Sequence, residues 1–111
     1  MPETEETGSE TFAEDTALVD LFGNHPKTKI LVSLLSEQQD TNITHLADLA
    51  GIHRSTVYEH IDDLLKIGVV EQTREVGGSP MYQINKDNIV ARKLGFLEWK
   101  LLDEEVKEDY T

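Results

Sequence analysis

The sequence predicts a mainly α-helical fold with one small β-hairpin, an α+β class. Three observations carry this. Thr44 to Gly68 reads as two short helices around a glycine turn. Two extended, β-branched segments then flank Gly77-Gly78-Ser79. Beyond Asp87, apolar residues recur at helical spacing to about Val106. A chain of 111 residues has room for one domain of this kind and little more.

Taken in order, residues 1–15 are acidic and too polar to offset their ordering entropy, so a disordered tail is expected there. Residues 16–86 form the expected domain. Asp15 or Thr16 can cap a short helix through Phe22, and Gly23-Asn24-His25 breaks it. Pro26 suits the first turn of a second helix, whose buried stripe is Ile30, Leu31, Leu34 and Leu35. Gln38 to Asn42 reads as a loop, Ile43 as a brief strand pairing with the hairpin, and Thr44 as an N-cap.

The next two helices need small or apolar residues where they cross, and Leu46, Ala47, Ala50, Ile52, Val57 and Ile61 supply them. Gly51 falls where the turn needs a left-handed backbone. The second helix starts near His53 and ends at Gly68. Val69 to Val76 and Met81 to Ile84 then read as two strands, with Pro80 at a strand entry. Asp87 or Asn88 can cap a final long helix spanning most of residues 87–111, where Val90, Leu94, Leu97 and Leu101 space out like a coiled-coil seam. Trp99, beside that seam, adds an aromatic anchor of the kind enriched in interfaces.

Two steeply crossed helices feeding a hairpin make a winged helix-turn-helix, with the last helix as a dimerisation element. The segment H-R-S-T-V-Y-E-H-I-D-D-L-L-K-I-G-V-V resembles the small winged-helix regulators of the ArsR, MarR and PadR type. That resemblance implies double-stranded DNA as partner, a homodimer, and near-palindromic promoter sites.

On such a fold the second helix meets the groove. Arg54, Ser55, Thr56, Tyr58 and Glu59 are not needed for the Val57–Ile61–Leu64 stripe and are expected to read bases. His53, Thr44, Lys27, Lys29, Lys66, Arg74, Ser79 and Lys86 are candidate backbone contacts. The hairpin tip itself carries no base, which weakens any minor-groove role.

Twenty-two acidic residues against ten Lys and Arg give a formal net charge of −12, the wrong sign for a DNA binder in ordinary salt. More than half of the excess lies in residues 1–20. The acidity suits a halophile protein, hydrated by carboxylates and using salt cations at its DNA-facing surface, and together with the winged helix it resembles haloarchaeal regulators. Some cysteine-free members of that group answer to oxidative stress. The competing expectation is a winged helix used for protein association in basal transcription or chromosome machinery.

The absence of cysteine excludes disulfides and thiolate metal sites. Four scattered histidines make no metal-ligand pattern, and no nucleophile, base and orienting group fall together. Neither cofactor, metal nor enzymatic activity is expected. No stretch is long and apolar enough for a bilayer, so a cytoplasmic protein without membrane contact is expected.

Overall fold

The computed structural model describes residues 12–109. These form a 3-10 turn at Phe12–Asp15, then α1 (Ala17–Phe22), α2 (Pro26–Ser36), α3 (Ile43–Ala50), α4 (Arg54–Lys66), β1 (Val70–Val76), β2 (Ser79–Ile84) and α5 (Ile89–Asp109). The mainly α class with one hairpin is therefore present. Of the expected disordered tail, residues 1–15, only the last four are described, and they are not tail-like. Residues 1–11 lie outside the described residues, and Phe12–Asp15 forms a 3-10 turn whose Ala13 is fully buried against Leu18, Val19 and Val32.

The central element is α2. Pro26 opens it, and the His25 ring caps it, its Nδ1 accepting from the Lys27 N–H at 3.1 Å. It packs against α1, α3, α4 and β2, so it is buried on more than one face. Ile30 and Leu34 join Leu46, Ala50, Val57 and Ile61 in the main core. Each of the Ile, Leu and Val side chains contributes about 1.5–3 kcal/mol on burial.

The α3–α4 turn follows the glycine argument. Gly51 sits at φ 72°, and its N–H and that of Ile52 both donate to the Ala47 carbonyl, ending α3 sharply. Ala47 is buried where the two helices meet. The N-terminus of α3 corrects the sequence expectation by two residues. Asn42, not Thr44, is the cap, its Oδ1 accepting from the His45 N–H at 2.8 Å. Ile43 is therefore helical, and the residue that pairs with the hairpin is Thr41, which exchanges two 2.8 Å backbone bonds with Tyr82.

The hairpin pairs Val70 with Ile84 and Val76 with Ser79, so its turn is Gly77-Gly78 alone and Ser79 already belongs to a strand. Both glycines have positive φ, as a two-residue turn matching strand twist requires. Thr73 is an extra residue between the Gln72–Tyr82 and Arg74–Met81 pairs. A bulge of this kind sends successive side chains to one side instead of opposite faces. Thr73 and Arg74 accordingly both bond Asp40, the arginine through Nε and a terminal nitrogen at 3.0 and 3.2 Å.

Of the two expected caps for α5, Asn88 serves, accepting from the Ala91 N–H at 2.9 Å. The helix returns along the start of the chain, where Leu97 and Leu101 pack on the Ala13–Leu18–Val19–Val32 cluster. The Glu98 carboxylate accepts from the Ala17 and Leu18 N–H groups at 3.0 and 2.7 Å, capping α1 from across the molecule. Thr16 stands at the N-cap position of α1 but bonds the Ala13 carbonyl instead.

Candidate nucleic-acid interface

Helix α4 is two-sided. Val57, Ile61 and Leu64 are buried, while His53, Arg54, Ser55, Tyr58 and Glu59 are exposed. The turn at Gly51 projects the first turns of α4 beyond the scaffold, and the hairpin comes back beside them. A small polar crevice marks the meeting point, lined by Asn42, Thr44, Arg54, Tyr58, Ser79 and Pro80 among others. The fold thus assembles Thr44, Arg54, Tyr58 and Ser79 from three elements separated in sequence. Among the described residues Arg54 has no ion pair, so its guanidinium is available to a ligand. Asn42 and Pro80 join the crevice and were not expected there. Asn42 was legible as an Asx residue before a helix, but the neighbouring Thr44 competed for the cap.

Two expected contacts are corrected. Thr56 is only 4% exposed and cannot read bases. The apolar stripe of α4 is wide enough in its first turn, where α3 and α2 both press on it, to cover the residue preceding Val57. Lys29 is 2% exposed and cannot reach a phosphate, because α2 is enclosed on several sides and its second turn has no free face.

Other basic candidates are present but engaged or remote from the crevice. Lys27 pairs with Asp63 of α4 at 2.9 Å, which holds the Asp63 carboxyl below its ordinary value. Arg74 is held by Asp40, and that contact lowers the Asp40 carboxyl and raises the guanidinium. Lys66 ends α4, far along the helix from Arg54, and Lys86 lies near the start of α5. Burial pushes the Tyr82 phenol up, with Tyr58 and Asp62 nearby adding to the effect.

The histidines serve locally. His25 caps α2 and meets His60 edge to face at 5.5 Å, and His45 lies 3.5 Å from Glu37. His53 stands at the N-cap of α4 without a side-chain capping bond. Among the described residues no three His, Asp or Glu side chains gather as a metal site would need, and no helix is long and apolar enough to cross a membrane.

With this geometry in place, the family model for the IclR helix-turn-helix domain matches residues 17–74, from the start of α1 into the first strand of the wing and just over half of the chain. The chain belongs to the IclR-type helix-turn-helix family. What this match carries of the expected resemblance is its winged helix-turn-helix and the DNA-binding regulator class. No curated protein matches the chain significantly. Among solved structures it is similar to Sso10a-2, a DNA-binding protein from Sulfolobus solfataricus, at 21% identity and a TM-score of 0.49, over 74% of this chain and 88% of that one. In a helix-turn-helix the second helix lies in the major groove, and in this chain the second helix of the motif is α4.

Proposed function

We propose that this IclR-type chain is a sequence-specific transcriptional regulator acting as a homodimer on near-palindromic promoter sites, adapted to high salt and acting by binding without catalysis. The observation that carries the reading is the crevice where Arg54, Tyr58, Thr44 and Ser79 converge at the exposed end of α4. Arg54 is the base-reading candidate, since its fork matches guanine O6 and N7. Ser55, Tyr58 and Glu59 lie on the same exposed face. Two copies related by a two-fold axis address half-sites about 34–36 Å apart.

The acidic composition supports the salt adaptation. At 1 M salt the screening length falls to about 3 Å, so the repulsion between a −12 chain and phosphate is largely removed. Cations held between carboxylates such as Glu59 and the DNA backbone then favour binding instead of being released by it. A link to oxidative stress follows only from the haloarchaeal resemblance.

Fluorescence anisotropy with a fragment of the protein's own promoter in molar KCl tests the reading. Binding that outlasts an excess of random duplex is the expected result, and equal displacement by both sinks it. The wing supports a second reading, a protein-association module, because its base near the tip, Arg74, is already spent on Asp40. Absence of any duplex binding together with capture of a transcription-machinery subunit would favour that reading.

A further inference from the structure

Among the described residues, packing leaves one face of α5 uncovered. Leu97 and Leu101, two members of the seam expected for dimerisation, turn inward onto the α1–α2 cluster. On the outer side Ile89, Phe96 and Trp99 are 52%, 63% and 60% exposed, and the Phe96 and Trp99 rings lie 6.0 Å apart. These residues belong to a different seam. Positions 89, 92, 96, 99 and 103 follow the alternating three- and four-residue spacing of a coiled coil, occupied by Ile, Arg, Phe, Trp and Asp.

That order complements itself in one direction only. In an antiparallel pair with its two-fold axis between residues 97 and 98, Phe96 meets Trp99 of the second copy and Arg92 meets its Asp103. In a parallel pair Arg92 would face Arg92 and Asp103 would face Asp103, like charges in register. The whole helix has the same asymmetry. Its first half carries Arg92 and Lys93 against Glu98 alone, and its second half carries Asp103, Glu104, Glu105, Glu108 and Asp109 against Lys100 and Lys107. Asp103 already lies 3.7 Å from Lys100, an exposed pair that exchanges partners at little cost.

The surroundings of the seam fit an aromatic side chain from a partner. A groove of about 370 Å³ opens beside Trp99, walled by Phe12, Val32, Leu35 and Leu102 and floored by Gly95. A Cβ on Gly95 would lie 3.4 Å from Leu35 Cδ2, so the missing side chain keeps the floor of the groove low. Aromatic residues exposed next to an apolar groove are the features of an interface core.

We propose that a second copy of this chain docks antiparallel on the outer face of α5, with the Phe96–Trp99 and Arg92–Asp103 contacts each made twice. This rests on the homodimer reading above and assigns it a seam and a direction. Because the chain has no cysteine, introduced thiols report cleanly. Full-length R92C/D103C, oxidised in molar KCl, is expected to run as a disulfide-linked dimer, whereas R92C alone and D103C alone stay unlinked. The emission of Trp99, the only tryptophan, is expected to move to the blue as concentration rises through the dimerisation range. If the wild-type protein sediments as a monomer, the homodimer reading fails and this proposal with it. If it sediments as a dimer but R92C links to itself, or no variant links and Trp99 does not shift, the homodimer stands and this interface is wrong.

Discussion

The exposed face of α4 and the outer face of α5 are both helix surfaces left uncovered by the same core, yet they differ in chemistry. The first presents Arg54, Ser55, Tyr58 and Glu59, groups well hydrated in water and able to exchange that hydration for hydrogen bonds to base edges. The second presents Ile89, Phe96 and Trp99, whose exposure carries a standing cost of about 25 cal/mol per Å² until something covers them. A polar face can stay open indefinitely and bind selectively when a duplex arrives. An apolar face of this size calls for a constant occupant. On the proposed dimer, the molecule separates a reversible surface from one that its second copy keeps covered.

Removing the core that supports both faces has the largest expected effect. Leu46 is fully buried, and Leu46→Ala is expected to cost about 2–5 kcal/mol by chemical denaturation, taking DNA binding and dimerisation down together. If one function survived intact, the two faces would not share a scaffold. Trp99→Ala separates them: a loss of about 2 kcal/mol or more in dimer affinity by sedimentation equilibrium, with monomer fold unchanged because the ring is mostly exposed.

Arg54→Ala addresses the other face. A loss of roughly 1–3 kcal/mol in specific binding, with relaxed preference at one base pair in a binding-site selection, is expected. An equal loss on all sequences would assign Arg54 to a phosphate instead. The wing anchor is the smallest effect. Arg74 lowers the Asp40 carboxyl, so its stabilisation is present above the ordinary carboxylate value of 3.8 and is lost as pH falls through the lowered one. The melting temperatures of wild type and Arg74→Ala should converge as the pH drops below 3.8. A constant difference would mean that Arg74 acts through something other than Asp40.

Local chemistry made most of the fold legible. Pro26, Gly51 and the Gly77-Gly78 pair each require a particular backbone, and Asn88 offers a cap where a helix begins. What escaped depends on how many neighbours an element has. A single periodic stripe implies one buried face, but α2 is enclosed on several, and so Lys29 disappears from the surface. Thr56 is lost for the same reason in the first turn of α4. Between Asn42 and Thr44, two good caps compete, and tertiary pairing of Thr41 with Tyr82 decides between them. The exposure of Arg54, Ser55, Tyr58 and Glu59 was legible because polar side chains on an amphipathic helix have only one place to go. Their convergence with Ser79 across the hairpin is long-range and left no trace in sequence spacing.

The Glu98 carboxylate that receives the Ala17 and Leu18 amides works as a clasp joining α1 to the middle of α5. The clasp couples the start of α1 to α5, so removing α5 through Glu98 leaves the Ala17 and Leu18 amides without their acceptor. A fragment cut after the wing would keep its reading head but shed the fastening of its first helix. The boundary between a reading domain and an assembly helix, clear enough along the sequence, is therefore not a line along which the folded molecule can be divided.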